Sequence, residues 1–187
     1  PKVGLELTDS GMEHEPACTK KYYEGCATLA DMARKAASME GVDFLSFRME
    51  GGDPNGANKS TEELIGELKE IADAVDLPLV VCGCKNVEKD AELFSKAAEA
   101  LNGKNAVILS AKEENYKTVG AAAGLAYKQV VGAESAVDIN LAKQLNVLIS
   151  QLGVDSKSVV MNVGTAAVGY GFEYVISTMD RVKAAAL

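Results

Sequence analysis

The residues able to do chemistry in this sequence are few and scattered. Cysteines stand at 18, 26, 82 and 84, and the single histidine, His14, falls in the acidic stretch Asp9 to Glu15. A metal site needs more ligands, usually at C-x-x-C spacing, so Cys82 and Cys84 read as small buried thiols that share one face of a strand. With no signal for secretion, the thiols are expected to be reduced. No Ser-His-Asp or Cys-His couple can be assembled, which all but excludes nucleophilic hydrolysis. Lys85 and Lys112 stand just beyond strands, where a Schiff-base lysine would be needed, yet lysines there are ordinarily solvated. A G-x-G-x-x-G turn and a Walker-type phosphate loop are both absent. No catalytic and no metal-binding residue is assigned.

What the sequence does supply is hydrogen-bonding groups set among small residues. Asp53 and Asn58 lie in Glu50 to Asn58, a Gly-, Asp- and Asn-rich loop that permits positive-φ turns and fits a polar ligand or a long helix-capping turn equally well. Asn115, Asp138, Asn140 and Asn162 are amides and carboxylates at expected strand ends, suited to a neutral polar ligand. Gly164, Thr165, Gly169 and Tyr170 belong to a loop whose three glycines and two alanines let a broad flat ligand approach, with Tyr170 as a stacking ring. The alternative for that loop is close helix-to-strand packing.

These residues need elements to position them. β-rich runs recur at Val3 to Thr8, Phe44 to Met49, Pro78 to Gly83, Ala106 to Ala111, Gln129 to Glu134 and Val159 to Gly164, their starts about 31 residues apart, the length of a βαβ unit. Between them run helical stripes: Leu64, Ile65, Leu68, Ile71, Ala72 and Val75; then Phe94, Ala97, Ala98 and Leu101; then Leu141, Ala142, Leu145, Leu148, Ile149 and Leu152. Ser60 with Glu63 spells a capping box, and Asp138 stands ahead of the third stripe. Continuously apolar strands such as Leu79 to Cys82 argue for a parallel sheet buried on both faces. The reading is one α/β domain over residues 1–187, a TIM barrel showing six of its eight βα units, with ligands met at the carboxyl ends of the strands. At 187 residues the chain is short of the roughly 250 typical of that barrel, and Pro1 opens almost directly into a strand, so truncation is expected.

Composition narrows the partners. The net charge is −8, with 10 basic and 19 acidic groups in residues 1–93 against 9 and 8 in 94–187. Only three arginines are present, too few for a phosphate-backbone surface, so nucleic acid is not expected. No 18-residue apolar run and no basic-then-apolar leader occurs, so no membrane partner is expected and the location reads as cytoplasmic.

Five strings in order carry a resemblance: Leu77 to Cys84 followed by Val87-Glu88-Lys89-Asp90; Glu114-Asn115-Tyr116-Lys117; Val137-Asp138-Ile139-Asn140, continuing through Lys143-Gln144-Leu145-Asn146; and Gly169-Tyr170-Gly171-Phe172-Glu173-Tyr174. Over essentially residues 1–187 the chain resembles the small subunit of the corrinoid/iron-sulfur protein, also called the delta subunit of the acetyl-CoA decarbonylase/synthase complex. That family often has Asp-Pro where Asn162-Val163 stands here, and Ser-Pro at Ser135-Ala136.

The resemblance implies a TIM-barrel subunit in a heterodimer with a large subunit that carries a cobalamin (corrinoid) domain and a four-iron cluster. The pair moves a methyl group from methyltetrahydrofolate, through a folate methyltransferase, to the acetyl-CoA synthase/CO dehydrogenase of the Wood-Ljungdahl pathway. The small subunit shields and docks the corrinoid more than it catalyses. On that basis Asp53, Asn58, Asn115, Asp138, Asn140, Asn162, Gly164, Thr165, Gly169 and Tyr170 are expected to face the corrinoid. A pterin-dependent methyltransferase binding methyltetrahydrofolate directly is the alternative, and a lyase or aldolase barrel is a third.

Overall fold

A computed structural model of the chain describes residues 1–185. Six strands, β1 (Gly4–Thr8), β2 (Phe44–Arg48), β3 (Leu79–Cys82), β4 (Val107–Ala111), β5 (Val130–Glu134) and β6 (Val159–Asn162), form one sheet in the order β1-β2-β3-β4-β5-β6. Every neighbouring pair is parallel. Each lies within two residues of the run read from the sequence.

The helices follow from their first turns and apolar stripes. Between β1 and β2 come α1 (Ala17–Tyr22) and α2 (Leu29–Ala37), the second opened by a reciprocal Thr28–Asp31 capping box. In α3 (Thr61–Ala74) the Ser60 hydroxyl accepts from Glu63 N at 3.1 Å, but the Glu63 carboxylate turns to Lys59, so the expected box is only half made. Asn86 and Asp138 cap α4 (Val87–Ala100) and α6 (Ile139–Gln151). Between those two, α5 (Tyr116–Val119) runs into a π-helical stretch, Gly120–Ala126, and α7 (Phe172–Ala185) follows β6.

The register sorts the sheet into two unlike faces. Leu7, Phe47, Val81, Ile108 and Val131 align across five strands and are almost wholly buried with Leu64, Leu68, Leu93 and Phe94 of α3 and α4. Such burial is worth roughly 1.5–3 kcal/mol per large side chain. The alternate residues Ser46, Arg48, Val80, Leu109 and Glu134 point the other way and stay half-buried, and Val160 on β6 is 44% exposed. The expectation of strands buried on both faces is thus met on the helix side alone among the described residues.

Cys82 and Cys84 do not share a face. β3 ends at Cys82, so the period-two alternation stops before Cys84. Cys82 looks to the helix-free face, where its sulfur lies 3.4 Å from the Ser46 hydroxyl, whereas Cys84 turns into the core beside Gly52 and Leu93.

Candidate functional site

A cleft of about 560 Å³ opens at the carboxyl ends of β2 to β6. Its walls carry charge of both signs, and all the charged groups but the exposed Lys85 are held by partners within the chain. Arg48 holds Glu6 through two parallel bonds of 2.9 Å, Nε to Oε1 and Nη2 to Oε2. Lys112 Nζ stands 3.8 Å from Glu134 Oε1. Asp90 is only 5% exposed and accepts from Cys84 N at 2.7 Å, Lys85 N at 3.1 Å and the Cys84 thiol at 3.2 Å. Burial pushes the Asp90 carboxyl above its usual range, and burial likewise raises Cys82 and lifts Cys84 to about 11. Neither thiol is activated as a nucleophile.

Of the residues expected to face a ligand, three come together at this cleft: Asn162, Gly164 and Thr165. Asn162 is committed at both ends, its Nδ2 donating to Ser110 Oγ and its Oδ1 accepting from Gly164 N, each at 3.0 Å. Asn115 is buried and its Oδ1 takes the Lys112 N–H at 2.7 Å, so it braces the β4 loop from behind. Asp138 caps α6 through the Asn140 and Leu141 amides, and Asn140 itself is exposed on the first helical turn. Asp53 accepts from Asn55 in an Asx turn, and Asn58, at φ 50°, donates its N–H to Asp53 O. Gly169 has φ 82°, and the turn it makes holds Tyr170 at 86% exposure.

Sequence reasoning missed the residues that fix this end of the sheet. Arg48 and Ser110 line the cleft but belong to no motif, and Asp90, the last residue of the Val87-Glu88-Lys89-Asp90 string, was not expected to face a ligand. Asp9, whose side chain is fully buried, accepts from Gly51 N at 2.9 and 3.0 Å and pairs with Lys59 at 3.2 Å. Lys59 also donates to Glu67 at 2.9 Å. The available signal was the lone lysine between Asn58 and Ser60, in a loop otherwise uncharged after Asp53.

The family described as CO dehydrogenase/acetyl-CoA synthase delta subunit matches residues 1–187. The chain belongs to that delta-subunit family. Among its relatives, the acetyl-CoA decarbonylase/synthase complex subunit delta of Methanopyrus kandleri is 37% identical over 158 residues, covering 84% of this chain and 39% of the relative. The subunit of the same name from Methanothermobacter thermautotrophicus is 35% identical over 189 residues, 100% of this chain and 48% of its own length. The chain thus spans less than half of either delta subunit. Among the described residues no helix is long and apolar enough to cross a membrane.

Proposed function

We propose that this chain forms six βα units of a TIM barrel in a delta subunit, and that its carboxyl-end face covers a corrinoid carried by a large partner subunit. The barrel reading rests on the consecutive parallel order and on the open β6 side, where Val160 and the α7 residues Tyr174, Ile176 and Met179 stay exposed. Further βα units would cover such a surface.

The docking reading rests on one observation. Apart from the exposed Lys85, the charged groups of the cleft are held within the chain, while the adjoining glycine turn offers Val168 and Tyr170 at 82% and 86% exposure. Paired walls and a small-residue rim with an aromatic tip suit a broad, neutral, amide-edged surface that must be covered and released, better than a small charged substrate. These residues fit a cover over a partner-held group rather than a pocket of their own. When bound, the corrinoid supplies the methyl-carrying centre; this chain orients it and excludes water. The four-iron cluster belongs to the partner in this reading. The heterodimer would receive its methyl group from methyltetrahydrofolate by a folate methyltransferase and deliver it to acetyl-CoA synthase/CO dehydrogenase.

The test is the full-length subunit assembled with its corrinoid-bearing partner. Gly169→Trp and Tyr170→Ala should weaken corrinoid retention or methyl transfer while leaving thermal unfolding of the Tyr170→Ala subunit unchanged. Unaltered cobalt spectra and transfer in both variants would overturn the assignment. Binding of methyltetrahydrofolate to the subunit alone would favour the pterin-dependent methyltransferase instead.

A further inference from the structure

At the end of β3 two consecutive backbone amides, Cys84 N and Lys85 N, converge on a single carboxylate. Lys85 sits at φ 73°, in the left-handed region, and a residue so placed in a turn makes successive N–H groups face one concavity, a backbone nest that binds anions. In parallel α/β folds this is the position where ligand phosphates and carboxylates settle, just ahead of a helix N-terminus. Here the nest lies on the cleft wall and is filled from within: Asp90, in the first turn of α4, folds back into it. Gly83 makes that return possible, since a Cβ at position 83 would strike the Asp90 carboxyl.

We propose that Asp90 is a specificity-determining residue, an internal anion that occupies the nest at the β3 end and so turns the cleft against phosphate or carboxylate heads in favour of neutral polar ones. Of the three cations on the cleft wall, Arg48 and Lys112 are engaged, and Lys85 turns an exposed side chain to solvent while its backbone N–H is already given to Asp90. Arg48 is held by Glu6, and Lys112 has Glu134 within 3.8 Å and Asp90 close by. An incoming anion would have to displace a carboxylate that is fixed by three donors and shielded from solvent. The inference rests on the cleft being the ligand-facing side, as in the proposed function, and adds which ligand heads that side refuses.

Isothermal titration with inorganic phosphate, read together with hydrogen exchange of the backbone over residues 83–86, tests it in the full-length subunit. Wild type should give no saturable binding and no change in exchange. Asp90→Asn keeps the shape but loses the charge and one acceptor, so weak saturable phosphate binding should appear with slowed exchange at Lys85. Asp90→Ser empties the nest and should bind phosphate at least tenfold more tightly than Asp90→Asn. Phosphate protection of residues 83–86 in wild type overturns the proposal, as does absence of binding in an Asp90→Asn subunit with unchanged thermal unfolding. Failure of the wild-type subunit to engage a corrinoid-bearing partner would count against the proposed function and leave this result standing.

Discussion

Asn162 at the end of β6 donates to the hydroxyl of Ser110 on β4, 3.0 Å away, reaching past the whole of β5. Two local features allow it. The β4–β5 register shifts between Leu109 and Ala111, leaving Ser110 as the extra residue of a bulge, and bulges re-aim side chains in this way. Gly132, the β5 residue paired with Leu109, has no side chain to obstruct that part of the face. The bridge ties the middle of the cleft floor to its β6 end.

Asn162→Ala removes both bonds and strands a Ser110 hydroxyl that is 6% exposed. The expected loss is about 1–3 kcal/mol in urea unfolding. Asn162→Asp should lose less, because the carboxylate still accepts from Gly164 N and the Ser110 hydroxyl can turn to donate. Equal losses in the two variants would show that the bridge does not carry the effect.

Lys59→Met leaves the buried Asp9 carboxylate and Glu67 without their cation. At neutral pH it should cost about 3 kcal/mol, the lower end for breaking a buried pair, with Lys59→Arg retaining most of the stability. Thermal unfolding across pH should show the Lys59→Met deficit shrinking as acid neutralises Glu67, whose carboxyl is raised by burial.

Burial raises the Glu67 carboxyl, outweighing the lowering by Lys59. A group whose folded pKa lies above its unfolded value contributes stability that is complete below the unfolded value, about 4.3 for glutamate, and is lost as pH rises through the folded one. The stability of Glu67→Gln relative to wild type should therefore improve as pH is raised from the ordinary carboxylate range to neutrality. A flat difference across that window would contradict the shift.

Cys84 is 4% exposed, and burial lifts its thiol to about 11, so it carries little thiolate at neutral pH. Alkylation followed by mass spectrometry should label the exposed Cys18 well before Cys84, which becomes reactive on unfolding. Early labelling of Cys84 in the folded protein would refute its placement in the core.

Two glycine-to-alanine changes should have opposite signs. At Gly51 a Cβ would strike the Asp9 carboxylate and break the pair of bonds it receives there, lowering Tm. Gly66, in the exposed middle of α3, has nothing within 4 Å, and alanine there should stabilise by about 0.5–1 kcal/mol.

The layout of strands and helices is legible from local pattern. Six β-rich runs at βαβ spacing gave all six strands, and the stripes on α3, α4 and α6 gave the helix faces that Leu64, Leu68, Phe94, Leu145 and Ile149 bury. These are local properties: periodicity, capping and the short range of a parallel crossover. Asp138 was legible as a polar residue at a strand end, and its cap position was visible for the same reason. The roles of the polar groups depend on contacts between residues far apart in the chain. Whether Asn162 is a free donor depends on a bulge in β4, fifty-two residues away, and Asp9 finds Gly51 and Lys59 only once β1 and β2 are paired in register. The divergence of Cys82 and Cys84 turns on one residue at the end of β3, where a strand's alternation gives way to the turn that Asp90 fills. Pairings of that kind are set by where strands end and which side chain reaches a buried partner first, and neither is written in local spacing.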